Sequence, residues 1–428
     1  MITSPATLQK NKTPTKKGQK IFEFKNVDPA AKIALYFGFT PVSGPIAITK
    51  EDRERGRSLS ETDAEHKTST APLSFRIEEK LAMLRYCEAK KLHEGPQPIE
   101  LAIEVACPPS LRGGEGRRGG NPSGGGAKKQ TEKTLSLEII GAGKAIAEAI
   151  LIETAFAILR DEGYADLSVS INSIGERDAQ NRFARELNNY YRRNIALLPA
   201  VCKTLLKRSP FELLMCSHEK CRALAADAPK SVAFLGDASR ELLKEVLEYL
   251  EELEIPYQMN PLLIAPRSFG TETVFEIRGK KKDEEEKALA IGCRYNTLTK
   301  RLGWRREAPA VGLKILLARG KSATKSTVLK FAAPKIFFLQ LGTRAKLKSL
   351  KVIETLRQAG IALEHSLARE KLLSQLSLGE HNKHSYSLIM GQREALEESV
   401  IVRNNNTRAQ ETIRISEVAV YLKKMKLV

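Results

Sequence analysis

Residues 135–175, LSLEIIGAGKAIAEAILIETAFAILRDEGYADLSVSINSIG, constrain the fold of this chain more than any other stretch. Apolar and polar side chains alternate at its start, which predicts a strand with Glu138 on an open sheet face. Apolar residues then recur every three or four positions over residues 152–159, and Gly163 supplies a left-handed end for the predicted helix. Residues 167–171 alternate again. The sequence therefore predicts a strand–helix–strand unit around which the rest of the chain is organised.

The charge balance favours a polyanionic partner. The 428 residues include 70 Lys and Arg against 51 Asp and Glu, which gives a formal net charge of +19. Such an excess binds nucleic acid through counterion release, although a solubilising role is the alternative. Because 42% of the residues are hydrophobic, disorder throughout is excluded, and the length predicts two or three domains.

The cysteine content indicates a reducing compartment. Six cysteines in a long chain with no charged and apolar leader argue against a disulfide scaffold. No apolar run reaches the ~18 residues that a membrane span needs. We therefore expect a soluble, cytoplasmic protein with no membrane partner.

One cysteine cluster raises the question of a metal. Cys202, Cys216, His218 and Cys221 offer the ligand types of a tetrahedral zinc site. Their spacing matches no standard zinc finger, so the prediction is that the chain holds no metal. The alternative is a structural zinc site that stabilises a small subdomain.

Composition also divides the chain into segments. Residues 1–20 form a basic arm and residues 107–130 a Gly-rich basic insertion, and neither can bury enough apolar surface to fold. Residues 176–255 are predicted to be helical. From residue 335 onward, short apolar strands alternate with helices, which predicts a parallel or mixed sheet with helices on both faces.

Four runs carry motifs in a fixed order, namely residues 261–279 (PLLIAPRSFGTETVFEIRG), 288–303 (ALAIGCRYNTLTKRLG), 309–321 (PAVGLKILLARGK) and 385–411 (SYSLIMGQREALEESVIVRNNNTRAQE). In this order they resemble the histidyl-tRNA synthetase family of class II aminoacyl-tRNA synthetases. The resemblance implies an α+β catalytic domain with an antiparallel sheet over residues 21–328, followed by an α/β anticodon-binding domain over residues 333–428. Residues 36–52 resemble the family's motif 1, which implies a homodimer.

The resemblance also implies roles for individual residues. Those aligned with histidine-binding positions are Glu78, Thr134, Glu138 and Tyr295. Those aligned with ATP-binding positions are Arg319 and Arg76, with Mg²⁺ accompanying the nucleotide. Those aligned with tRNA-binding positions are Arg403 and Gln410.

The catalytic positions depart from the family pattern. Ala265 stands where the family has its catalytic arginine, and Arg267, two residues along, is a candidate substitute if both lie on one strand face. Arg319 is the second residue expected to be catalytic. Lys80 replaces the family's usual threonine. Loss of one such arginine costs on the order of 3 to 4 kcal/mol in the transition state.

The resemblance implies one of two functions. The first is a histidine–tRNA ligase that forms histidyl-adenylate from L-histidine and ATP and passes the histidyl group to a histidine-accepting tRNA. The second is a catalytically inactive paralogue that binds tRNA or acts as a regulatory protein. The sequence favours the enzyme, because every segment that forms the fold of the family is present. The missing arginines favour the inactive paralogue.

Overall fold

The computed structural model describes residues 12–14, 20–60, 73–106, 133–317, 328–368, 375, 384–425 and 427. The strands in chain order are β1 Lys12–Pro14, β2 Lys20–Lys25, β3 Thr40–Pro41, β4 Ile46–Ala47, β5 Ile99–Ile103, β6 Val105–Ala106, β7 Lys133–Ile140, β8 Ala165–Ser173, β9 Tyr257–Met259, β10 Thr271–Lys280, β11 Lys287–Arg294, β12 Ala310–Leu317, β13 Val328–Ala332, β14 Ile336–Gln340, β15 Glu364–His365, β16 Tyr386–Met390, β17 Ser399–Asn404 and β18 Gln410–Arg414. The α-helices among the described residues are α1 Ala31–Tyr36, α2 Lys50–Leu59, α3 Ile77–Ala89, α4 Ile146–Asp161, α5 Arg177–Arg193, α6 Ala200–Arg208, α7 Pro210–Leu214, α8 Glu219–Ala226, α9 Asp237–Glu252, α10 Leu298–Arg301, α11 Thr343–Gln358, α12 Gln392–Leu396 and α13 Ile415–Lys424.

A central sheet of eight strands forms the larger part of the structure, in the order β3-β5-β7-β12-β11-β10-β8-β9. Its six inner strands pair antiparallel, and a parallel pair closes each edge. The predicted antiparallel sheet is confirmed. The predicted strand–helix–strand unit is confirmed as β7, α4 and β8, and Gly163 ends the helix segment with a φ of +84°.

The environment of α4 differs from the predicted amphipathic helix. Every residue from Ile146 to Leu159 is buried. One side packs on the central sheet, while α1, α9 and α11 cover the others. A helix with neighbours on all sides has no solvent face on which polar residues are needed, which explains its apolar sequence.

Glu138 does not lie on an open sheet face, so that expectation is wrong. The residue is 2% exposed because α3 lies across its side of the sheet and places Lys80 on its carboxylate. Alternation within β7 correctly assigned the side chain to the polar face. The helix that covers this face comes from a distant part of the chain.

The carboxy-terminal sheet has the order β15-β14-β16-β17-β18. β14 pairs parallel with β15 and β16, while β16, β17 and β18 pair antiparallel, so the predicted mixed sheet is confirmed. Helices α11 and α13 share a core with Ile336 and Phe338 on one face. Lys351 of α11 donates to Glu254 at 3.2 Å, which joins this unit to the end of α9.

Two smaller features concern the predicted segments. Within the predicted basic arm, residues 12–14 form β1, which pairs with β2, so this part of the arm has backbone hydrogen bonds to the folded chain. The rest of the arm and the Gly-rich insertion 107–130 lie outside the described residues. Helices α5 to α8 build a core of their own around Phe183, Leu187 and Tyr191. In the part of the chain that the structure describes, no helix combines the length and apolarity that crossing a bilayer requires.

Candidate active site

A cluster of three polar side chains lies at the middle of the central sheet. Lys80 Nζ donates to Glu138 Oε1 at 2.5 Å, and the Tyr295 hydroxyl donates to Glu138 Oε2 at 2.7 Å. The Lys80 ammonium also lies 4.9 Å from the centroid of the Tyr295 ring, within cation–π range. Lys80 comes from the first turn of α3, Glu138 from β7, and Tyr295 from the residue after β11. Both oxygens of the carboxylate are therefore engaged by the chain itself.

The electrostatics of this cluster follow from its burial. The side chains of Lys80 and Glu138 are 12% and 3% exposed, so water screens their attraction weakly. Burial raises the pKa of Glu138, and the Lys80 ammonium opposes that rise. Burial and the adjacent Glu138 carboxylate raise the pKa of Tyr295, which keeps its hydroxyl protonated as a donor. The charge on Glu138 thus depends on Lys80.

Gly312 creates the room for this pair. It is the register partner of Glu138 on β12. A Cβ at this position would clash with the Glu138 carboxylate and with the Lys80 ammonium. Glycine inside a strand is unfavourable unless another group approaches the backbone closely, as the carboxylate does here.

A second buried pair lies next to the first. Lys314 of β12 forms an ion pair with Glu79 of α3 and donates to the Ser74 carbonyl at 3.0 Å. Burial lowers the pKa of Lys314, while Glu79 opposes that change. Together with the Lys80–Glu138 pair, this contact balances two buried lysines with two carboxylates between α3 and the sheet.

Arg294 and Glu148 brace the same region. Arg294 is fully buried, and its Nε donates to Glu148 Oε1 at 2.7 Å while its Nη2 donates to Oε2. Thr273 Oγ1 donates to the same carboxylate at 2.5 Å, and Arg294 Nη1 donates to the Ala142 carbonyl at 3.0 Å. These bonds tie β10 and β11 to the start of α4, and they fix the backbone immediately before Tyr295.

The structure brings together two of the four residues predicted to bind histidine. Glu138 and Tyr295 are in contact, as described above. Glu78 lies against α2, where a Cβ added to Gly56 would stand 3.1 Å from its Cγ. Thr134 is on the same side of β7 as Glu138 but four residues away, or about 13 Å along the strand. It lies near the partly exposed end of β7.

Ala265 and Arg267 do not share a strand face, contrary to expectation. Residues 261–270 form turns and irregular structure, and Gly270 N donates to the Pro266 carbonyl at 2.7 Å, so the period of two does not apply. Ala265 is 1% exposed and part of the apolar core. Arg267 Nη2 donates to Asn181 at 2.9 Å, and its guanidinium lies 5.4 Å from the Phe211 ring centroid. These contacts hold Arg267 on the helical segment.

The residues predicted to bind ATP and tRNA lie elsewhere. Arg76 is the N-cap residue of α3, and its Nε donates to the Ser74 hydroxyl at 3.1 Å. Arg319 lies outside the described residues. Arg403 and Gln410 are register partners on β17 and β18, where Arg403 is partly exposed and Gln410 exposed.

Sequence reasoning missed the role of Lys80, which it treated only as a replacement for threonine. Two signals pointed to a covered polar interface. Lys314 interrupts the apolar run AVGLKILL, where a strand buried on both faces has little use for an unpaired charge. Gly312 lies two residues before it in the same run. Glu79 and Lys80, on the first turn of α3, are the charged residues that pair with Lys314 and Glu138.

Comparison with known proteins adds the following similarities. A family model described as "Anticodon binding domain" matches residues 335–425. Curated histidine–tRNA ligases are similar over about two thirds of the chain. That of Halothermothrix orenii is 29% identical over 296 residues, which cover 68% of this chain and 70% of the relative. That of Caldicellulosiruptor bescii is 27% identical over 296 residues, which cover 68% of this chain and 69% of the relative.

Among solved structures, apo histidyl-tRNA synthetase from S. aureus aligns over 92% of this chain and 93% of its own. The TM-score is 0.47 and the sequence identity 19%. The structure of histidyl-tRNA synthetase from Nostoc sp. PCC 7120 aligns over 92% of this chain and 94% of its own, with a TM-score of 0.40.

Proposed function

We propose that the chain is a tRNA-binding member of the histidyl-tRNA synthetase family whose amino-acid site is filled by its own Lys80, and its similarity to curated histidine–tRNA ligases and to the anticodon-binding domain supports this. The observation that carries this proposal is the contact of the Lys80 ammonium with both Glu138 and Tyr295. Binding of tRNA is assigned to the carboxy-terminal sheet. A cytoplasmic homodimer is part of the same proposal, by the family resemblance of residues 36–52.

The two groups expected around the substrate imidazole both contact Lys80. Glu138 would accept a hydrogen bond from the ring, and Tyr295 would pack against it. In the structure the lysine supplies a cation at the carboxylate and also lies over the aromatic ring. A histidine side chain would need the same acceptor and the same ring face. Lys80 and histidine therefore compete for one position.

Displacing Lys80 would be costly because both charges are buried. Separating one partner from a buried ion pair costs about 3 to 5 kcal/mol when the other is left without compensation. That penalty corresponds to a loss of affinity on the order of 10²- to 10⁴-fold. Histidine binding in the usual mode would thus be too weak to support efficient adenylation.

The arginine positions support the same conclusion. The family's catalytic arginine is replaced by Ala265, which is buried in the apolar core, and the candidate substitute Arg267 is held by Asn181 and Phe211. Electrostatic catalysis depends on donors that are already aimed at the developing charge. ATP with Mg²⁺ would contact Arg76, which lies near the Lys314–Glu79 ion pair. Arg319 is the second arginine that the resemblance assigns to the nucleotide.

Binding of tRNA has independent support. The domain model for anticodon binding matches residues 335–425, and the chain carries a formal net charge of +19. Arg403 of β17 and Gln410 of the edge strand β18 lie side by side and can contact one nucleotide together. A partly exposed guanidinium provides a phosphate contact, and an amide can pair with a base edge.

The second candidate function is a histidine–tRNA ligase, the name that the curated relatives carry. Retention of Glu138 and Tyr295 in contact favours it. In that case Lys80 swings out when histidine enters, Glu138 accepts from the imidazole, and Arg267 or Arg319 stabilises the charge that develops on the α-phosphate.

Histidine-dependent exchange of pyrophosphate into ATP separates the two functions. The purified chain is assayed beside Arg267→Ala, and binding of histidine-accepting tRNA is measured on the same samples. We expect no exchange above background from the wild-type chain together with salt-dependent tRNA binding. Exchange that disappears in Arg267→Ala would establish the ligase, and absence of tRNA binding would remove the proposed function.

A further inference from the structure

We propose that the helical segment between β8 and β9 holds a structural Zn²⁺ ion on the thiolates of Cys202, Cys216 and Cys221. Their Sγ atoms all lie within 4.8 Å of one another. The three cysteines come from α6, from the turn after α7 and from α8. The site is independent of the proposed function because it lies outside the Lys80–Glu138 cluster.

The sulfur geometry fits a zinc ion. Tetrahedral ligands at a Zn–S distance of about 2.3 Å stand about 3.8 Å apart along each edge. Cys202 Sγ and Cys216 Sγ are separated by 3.8 Å. Cys221 is fully buried and Cys202 4% exposed, whereas Cys216 is partly exposed. The cluster therefore has two inner ligands and one at the surface, through which a fourth ligand has access.

Helices α6 to α8 are short, and a bound ion would stabilise them. Helices α6, α7 and α8 comprise 9, 5 and 8 residues, lengths at which an isolated helix is unstable in water. Their shared core is small, while Val201 and Met215, each next to a cysteine of the cluster, are 72% and 58% exposed. A metal that joins one residue from each helix region would supply stability that apolar burial supplies elsewhere.

The fourth position can be filled from the loop between two of the cysteines. His218 lies in the sequence Cys-Ser-His-Glu-Lys-Cys, where it is the N-cap residue of α8. Its Nδ1 accepts from Lys220 N at 3.3 Å, which leaves Nε2 as the nitrogen for a metal. The His218 imidazole is not among the side chains that converge with the three sulfurs in the structure, so it would complete the tetrahedron by turning toward the ion, and a water molecule is the alternative fourth ligand.

Disulfide formation is the competing chemistry. A disulfide needs sulfur atoms about 2 Å apart, and the three cysteines are free thiols in the structure. Their convergence in a group of three also leaves one thiol over after any pairing. A metal site uses all three.

Metal analysis of the full-length chain under reducing conditions tests the site. We expect about one zinc per chain in the wild type, falling roughly tenfold or more in Cys216→Ser and Cys221→Ser. The matched control is Cys87→Ala, which removes another buried thiol from α3 and should retain the zinc. Replacement of zinc by Co²⁺ should give the visible absorption of tetrahedral cobalt–thiolate coordination, with a band shift in His218→Ala if the imidazole is the fourth ligand.

Several results would overturn the proposal. One is a wild-type chain that neither carries zinc nor gains cobalt–thiolate absorption. Others are zinc retained after Cys202, Cys216 and Cys221 are all replaced by serine, or a Cys202–Cys216 disulfide in chain purified without reductant. The cobalt spectrum of the wild type decides the case even if a variant fails to fold. Hydrogen exchange after chelation provides a further readout, because protection should fall in α6 to α8 and persist in the central sheet.

Discussion

Replacement of Lys80 by threonine should open the amino-acid site to histidine. The substitution removes the ammonium from Glu138 and from the Tyr295 ring and leaves both groups in place. Because the ion-pair side chains are 12% and 3% exposed, the full cost of a separated buried pair applies, about 3 to 5 kcal/mol. A ligand that no longer has to displace Lys80 should bind on the order of 10²- to 10⁴-fold more tightly.

The same substitution should destabilise the chain in the absence of ligand, since Glu138 loses its cation. Histidine should restore that stability, by roughly 3 kcal/mol at a concentration one hundred times its Kd. Isothermal titration calorimetry gives the affinity, and urea unfolding with and without histidine gives the linked stabilisation. Both measurements report on the same event and should agree.

Two control variants separate space from charge. Lys80→Met removes the charge but keeps a side chain of similar length in the site, so histidine affinity should stay low. Lys90→Thr removes an exposed lysine at the end of the same helix and should change neither affinity nor stability. If Lys80→Thr folds and binds histidine no better than the wild type, Lys80 does not exclude the amino acid.

Three further predictions concern stability, pH and tRNA. Arg294→Met should lower the free energy of unfolding by about 3 to 5 kcal/mol in urea, because it leaves a fully buried carboxylate without its cation. Burial raises the pKa of Glu272 from 4.5 to about 7, so the folded chain holds a proton that the unfolded chain releases in this range. Glu272 should therefore lower the free energy of unfolding by roughly 3 kcal/mol as the pH rises through this window, and Glu272→Gln should make the fall smaller by that amount, while the buried Glu153, whose pKa is also raised to about 7, keeps its own contribution. Arg403→Ala should weaken tRNA binding and reduce its salt slope by about 1.

Each of these predictions has a matched control. Arg278→Ala breaks a pair whose side chains are 31% and 22% exposed, and it should cost less than about 1 kcal/mol. An equal loss in both arginine variants would contradict the assignment of the buried brace. Glu241→Gln, an exposed carboxylate on α9, should keep the wild-type pH slope. Arg393→Ala removes a guanidinium already balanced by Glu397 and should keep the salt slope that Arg403→Ala loses.

Much of the fold follows from local patterns. Alternation in β7 and β8 and the period of α4 predicted these elements, and the mixed carboxy-terminal sheet followed from strands that alternate with helices. These predictions hold because side-chain periodicity is set by backbone geometry within a few residues. The motif order further identified the family, which the relatives and the domain model support.

Other features depended on residues that are far apart in the chain. Lys80 and Glu138 are 58 positions apart, and neither residue's neighbours indicate that α3 covers the sheet face at this point. Arg267 was assigned to a strand that proved to be irregular, because the local turn around Pro266 overrides the period of two. The cysteine spacing matched no motif, yet three separate elements bring the sulfurs together.

The sequence by itself determined which residues face which side of strands such as β7 and β8, and with them the fold class, while the order of its motifs indicated the family. Tertiary structure decided what lies opposite those residues. For Glu138 this difference is decisive, since a carboxylate on an open face could accept a substrate, whereas one covered by α3 already holds an ammonium. Contacts between distant elements depend on how whole surfaces pack, which no short pattern encodes.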